Sequence, residues 1–137
     1  MKSLLQLLAL LVLVSGCSEH KSRSLPVEEF NEKTAEVHKS GSEDWPLSCL
    51  QVALRFAGDR EEARSRRIEI SSMPERFETT EIVILEEGLM DDSLDGYRHR
   101  LNMKKTREGF WRVEAAEQSW KCQSGRGHRG YSCEPCH

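Results

Sequence analysis

The sequence predicts an α+β fold: an antiparallel meander of about four strands with one helix packed on it, ending in a disulfide-stapled loop. Three observations carry this. Apolar and polar residues alternate from Tyr97 to Lys105 and again from Trp111, the period of a strand with one covered face. The stretch Asp44–Gly58 carries helix start and stop signals. Three of the five cysteines, Cys122, Cys133 and Cys136, crowd the end of the chain.

The first element is an export signal. Lys2 precedes an apolar run from Leu4 to Val14, and Val14-Ser15-Gly16-Cys17 follows. A positive start, an apolar segment, small residues and then a cysteine form a bacterial lipoprotein signal, in which Cys17 becomes the lipid-bearing first residue, carrying acyl chains such as palmitate. The apolar run is too short for a spanning helix, which needs roughly 20 residues. A plain secretory cut would leave Cys17 as an odd thiol beside Cys49, Cys122, Cys133 and Cys136. Ser18, where inner-membrane lipoproteins carry Asp, points by analogy to an outer-membrane lipoprotein facing the periplasm.

Removing residues 1–16 from the 137 leaves 121, enough for one domain. The formal charge of −3 becomes −4 with the loss of Lys2, so no basic field attracts nucleic acid. Mean hydropathy is low at −0.62, yet three Trp and regular alternation set the chain apart from disordered sequences. Residues 17–43 are polar and are expected to be a lipidated N-terminus and flexible tether, with one weak helix over Val27–Lys39. The domain proper is expected over residues 44–137.

Its helix starts with Asp44 as N-cap and Pro46 in the first turn, carries Leu47, Leu50, Leu54 and Ala57, and stops at Gly58. The same residues at period two, through Leu50, Val52, Leu54 and Phe56, would make a strand, and the capping residues favour the helix. A charged bend follows over Asp59–Arg67. A short strand through Ile68 and Ile70 then breaks at Met73-Pro74. Thr79–Leu85 is β-branched and reads as a strand. In Tyr97–Lys105, Tyr97, His99, Leu101 and Met103 share one face. Thr106–Gly109 is a hairpin connection. The last strand puts Trp111, Val113 and Ala115 on one face and then switches phase to Ala116, Gln118, Trp120 and Cys122, which predicts a β-bulge at Ala115-Ala116. In element order the layout resembles cystatin-like or NTF2-like rolls, a resemblance that implies no function.

From Cys122 onward the chain has Gly and Pro but no apolar period, so it needs staples. In an oxidising envelope Cys49, Cys122, Cys133 and Cys136 favour two disulfides, with three connectivities open. Cys133-Glu-Pro-Cys136-His137 is also the attachment spacing of c-type haem, with His137 as axial ligand. A small electron-transfer haem lipoprotein is therefore the alternative function, although Pro135 opposes the helical turn such motifs adopt. A zinc knuckle from His128, Cys133, Cys136 and His137 ranks below it.

The tail residues Cys122, Gly125, Arg126, Gly127, His128, Tyr131, Ser132 and Cys136, with Gly88-Leu89, Asp91-Asp92-Ser93 and Trp111-Arg-Val upstream, resemble an uncharacterised group of bacterial lipoproteins or secreted proteins. The resemblance covers about the last fifty residues and implies no activity. It does imply pairing of Cys122 with Cys136 and of Cys49 with Cys133.

Arg126, His128, Arg129 and Tyr131 form a candidate ligand-binding loop, in which glycines let amides converge on an acidic group and Arg supplies a fork. The competing reading has the glycines serving only the turn, with Arg126 paired to the Asp91-Asp92 turn. Asp91, Ser93, Asp95 and Gly96 imitate half a calcium loop, but Asn102 stands at the twelfth position, where a bidentate Glu belongs. No nucleophile elbow or His-Glu-x-x-His run occurs, and Glu86 and Glu87 point to opposite faces of their strand. The chain reads as a non-catalytic module with no cofactor. Its expected partners are the membrane, through the lipid, and an envelope protein or a small acidic ligand.

Overall fold

The computed structural model describes residues 21–58, 62–72 and 78–137. The export signal, Cys17, Ser18 and His20 lie outside the described residues, as do Met73-Pro74 and the start of the expected charged bend. The fold is α+β, as predicted; the described residues hold five strands where about four were expected, and two helices, one in the expected packed position and one over the stretch Val27–Lys39 expected to be weakly helical.

Strand β1 (Arg23–Ser24) and helix α1 (Glu28–Ser40) come first. A 3-10 turn (Trp45–Leu47), helix α2 (Cys49–Ala57) and strands β2 (Ala63–Ser72), β3 (Thr79–Leu89), β4 (Leu94–Lys105) and β5 (Trp111–Cys122) follow. Strands β2 to β5 form an antiparallel meander, and β1 joins its far side to give the order β1-β5-β4-β3-β2. Both helices precede the meander; α2 packs over β3, β4 and β5, and α1 packs over β5. Val52 and Ala53 of α2 meet Ile82, Ile84, Leu101, Met103, Val113 and Ala116 in the core.

The expected tether is part of the domain. Leu25, Val27 and Phe30 pack on the core, and Thr34 is fully buried. The apolar residues are sparse because much of the docking is polar. Asn31 Nδ2 donates to Val113 O (2.7 Å) and its Oδ1 accepts from Val113 N (2.9 Å), so one amide side chain serves as a strand partner. Helix α1 has Glu28 and Glu29 in its first turn and His38 and Lys39 in its last, suiting the helix dipole, and Gly41 closes it at φ 63°.

The predicted packed helix forms and stops at Gly58 as expected, but it begins four residues later than expected. Pro46 supports the 3-10 turn, and the N-cap is Ser48, whose hydroxyl accepts from Gln51 N (3.4 Å), in place of Asp44. Val52 and Ala53 face inward, and Leu47, in the 3-10 turn, is half exposed. In the second half of the expected bend, Ala63–Arg67 is already strand and pairs with β3.

The bulge in β5 falls beside the predicted position. Asn102 pairs with Ala115 but Met103 with Val113, so Glu114 is the extra residue and the inward face passes from Val113 to Ala116. Leucine, methionine and histidine alternate inward along β4 as expected: His99, Leu101 and Met103 are all buried.

Candidate functional site

The C-terminal tail, residues 123–137, folds back along the outer edge of β5 and the end of the sheet. Its covalent anchor is a disulfide between Cys122 and Cys136, with Cα atoms 5.6 Å apart. This is the first bridge that the tail's resemblance implied. Two short strand-like contacts hold the tail to β5: Trp120 and Ser132 exchange backbone bonds (2.9 and 2.8 Å), and Cys122 N donates to His128 O (3.0 Å). Trp120 Nε1 also donates to Glu134 O (2.9 Å).

The second implied bridge does not form. Cys49 is a free, half-buried thiol of α2, and burial pushes its pKa up. Cys133 is disulfide-bonded, so its partner is none of Cys49, Cys122 and Cys136. Helix α2 turns Cys49 toward the sheet, among the residues packed against the core, and the tail folds at the sheet's end.

The candidate loop residues lie in one tail, but their polar groups diverge. Arg126 Nη1 donates to His137 O (3.4 Å), and its backbone carbonyl accepts from His137 N (2.7 Å). It does not reach the Asp91-Asp92 turn. His128 meets Gly130 O through Nδ1 (2.7 Å) and Glu134 O through Nε2 (2.9 Å). Arg129 Nη1 donates to Cys122 O (2.6 Å), and its Nη2 approaches Asp95 (4.0 Å). Each group ties one part of the tail to another part or to the sheet. Gly127 is required by the same packing: its φ is 142°, and a Cβ there would lie 2.9 Å from Cys122 Sγ.

Tyr131 is the tail's seat on the sheet face opposite the helices. Its hydroxyl donates to Glu87 Oε1 (3.2 Å), and its ring lies under Arg98 (4.9 Å) and Lys121 (5.8 Å). Lys121 Nζ reaches Glu87 (2.8 Å) and Asp95 (3.3 Å). The hydrogen bond from Lys121 holds the Glu87 carboxyl below its usual range, and the same bond holds the Lys121 ammonium up. Burial, with Glu87 second, pushes the Tyr131 phenol up to about 12. The sequence singles out Asp95 only for a half calcium loop and Glu87 only for its face of the strand, and it does not single out Lys121. They come from three strands, and only the register joins them.

Glu86 and Glu87 do take opposite faces. Glu86 is completely buried on the helix side and forms an ion pair with Arg66, whose Nε is 3.0 Å away. Buried His99 is a sheet residue: Gln118 Oε1 accepts from Arg23 (2.6 Å), which leaves Gln118 Nε2 to donate to His99 Nε2 (2.9 Å). Asp91, the head of the half calcium loop, accepts from Ser93 N and Leu94 N (2.8 and 2.7 Å), and Asp95 faces Lys121. The residues therefore form a turn and an ion pair.

Of the potential metal ligands, Cys122, His128 and Cys136 bring their donor atoms within 4.8 Å of one another, but the two sulfurs are bonded together. Covalent haem would need two free thiols at Cys133 and Cys136, and both are in disulfides, so the residues as arranged do not fit that group. Among the described residues, no helix is long and apolar enough to cross a membrane. The chain matches no family model, no curated protein and no solved structure.

Proposed function

We propose that the chain is a lipid-anchored lipoprotein of the bacterial cell envelope, carried at the outer membrane facing the periplasm. Its domain is a non-catalytic structural or binding module. The observation that carries this reading is the Cys122–Cys136 disulfide, since such bridges persist in oxidising compartments, and the signal-like run ending at Cys17 leads to one. The tail serves as a staple, because Arg126, His128, Arg129 and Tyr131 direct their polar groups to the protein itself. Partner contacts then fall on other surfaces. The tail's resemblance to uncharacterised lipoproteins agrees with this assignment.

One observation favours a second reading of the N-terminus. Cys49 is free and Cys133 is bonded, so lipidation of Cys17 no longer removes an odd thiol. In the second reading the chain is cut as a plain secreted protein, and Cys17 keeps its thiol and closes the bridge to Cys133. A single sulfur holds either a lipid thioether or a disulfide.

Mass spectrometry of the protein from its native envelope, without reduction, decides between them. A diacylglyceryl-modified, amino-terminal Cys17 is the expected result. A peptide pair linked Cys17 to Cys133 would replace the anchor with secretion, and a haem adduct on the peptide holding Cys133 and Cys136 would overturn both.

A further inference from the structure

The outer side of β2 is the one long strand edge of the described residues that no other segment pairs. Strand β2 has ten residues, no proline and no shift of register against β3, so it presents a straight row of backbone donors and acceptors. Strand edges of this length are usually blunted. Here the inward-pointing charge that would serve as a guard, Arg66, is tied down by Glu86 and by Gly58 O (3.1 Å). The helices lie over β3 to β5, and β2 projects beyond them with Ile70 52% exposed.

We infer that this edge pairs with the same edge of a second copy, in antiparallel register about Ile68. The charge pattern selects both the occupant and the register. Ser65, Arg67, Glu69 and Ser71 share one face of β2, and Arg66, Ile68 and Ile70 share the other. Centring the two-fold axis on Ile68 sets Arg67 opposite the partner's Glu69, and by symmetry Glu69 opposite the partner's Arg67. Centring it on Arg67 or on Glu69 sets like charges against each other, which opposes pairing. On the other face, Ile68 meets the partner's Ile68, and Ile70 lies diagonal to it beside the stem of the partner's Arg66. The row covers the exposed Ile70. The contact is isologous and closed, and both helix layers lie on the same side of one continuous ten-stranded sheet. In the single chain Arg67 and Glu69 already associate at 3.4 Å with side chains 66% and 58% exposed, so both are placed to exchange partners.

Sedimentation velocity of the exported, processed chain tests this over about 1 μM to 1 mM, the range in which a small interface associates. A reversible dimer is expected. Arg67→Glu or Glu69→Arg alone should weaken it by roughly tenfold or more, because each replaces two attractive cross-strand pairs with two repulsive ones. The double variant R67E/E69R should restore it. Amide exchange in wild-type β2 should also slow as concentration rises, a readout independent of the variants. A monomer throughout, exchange in β2 indifferent to concentration, or a dimer indifferent to the single charge reversals would overturn the inference.

Discussion

Along β5 the sheet's outer edge is covered by other parts of the chain, whereas along β2 the described residues leave it open. Asn31 takes Val113, Leu25 N reaches Ala116 O (2.9 Å), β1 pairs with Glu117 and Gln118, and Ser132 and His128 take Trp120 and Cys122. The covering segments come from both ends of the described chain, from residues 23–31 and from the disulfide-closed tail. These two segments share a task. The expected tether and the expected ligand loop both cap strand hydrogen bonds, and the edge that receives no cap is where another chain can be added.

The strongest way to break the contrast is to remove the disulfide. Replacing both Cys122 and Cys136 by Ser avoids leaving a new free thiol. It should cost about 3 kcal/mol, the loop-closure value for a bridge with sequence separation 14. Thermal unfolding reads the loss. Hydrogen exchange should place it at one end of the edge, with the amides of Trp120 and Cys122 exposed first and those of β3 and β4 protected until global unfolding. Unchanged protection at Trp120 would mean that the tail holds without its bridge.

Next in size is Asn31→Ala. The substitution strips both hydrogen bonds from Val113, which is fully buried, and should cost about 2 kcal/mol, mostly from the unpartnered N–H. Fast exchange at the Val113 amide should accompany the drop in stability. If the cost is no more than that of an exposed Asn→Ala, α1 is a loosely attached spacer after all.

The contrast between the edges also divides what the sequence made legible from what it did not. The meander was readable because Tyr97–Lys105 and Thr79–Leu85 state their faces residue by residue, and even the bulge left a mark in the phase change near Ala115. Helix α2 was readable from Pro46 and Gly58, although its N-cap was misplaced by four residues because Pro46 suits a 3-10 turn as well as a first α-turn. The edge caps had no such signal. Nothing near Asn31 marks it as a partner of a strand 82 residues away. The seat under Tyr131 likewise depends on Glu87, Asp95 and Lys121 converging from β3, β4 and β5, and single carboxylates and lysines carry no period. The Cys122–Cys136 bridge is the one of the two expected pairings that forms. The Cys49–Cys133 bridge implied by the tail's resemblance does not form, because Cys49 sits as a free thiol on the core side of α2.

The smallest predicted effect sharpens the comparison without opening either edge. Tyr131→Phe keeps the ring under Arg98 and Lys121 and removes only the hydroxyl on Glu87, so it should cost about 1 kcal/mol at neutral pH. Its signature lies in the pH profile. Glu87 has a lowered folded pKa, so its contribution is complete above its ordinary value of 4.5 and is lost as pH falls through the folded value. Lys121 and Tyr131 have raised folded pKa values, so their contributions are complete below their ordinary values of 10.5 and 10.0 and are lost as pH rises through the folded ones, about 12 for Tyr131. The wild-type tail should therefore loosen at both extremes. In Tyr131→Phe the acid limb should survive, because Lys121 still holds Glu87, while the part of the alkaline limb between pH 10 and about 12 that belongs to the phenol should disappear. Melting temperatures followed from acid to alkaline pH check this, and an alkaline limb unchanged in Tyr131→Phe would remove Tyr131 from the seat and leave the tail's hold on the β5 edge to its backbone bonds and the disulfide.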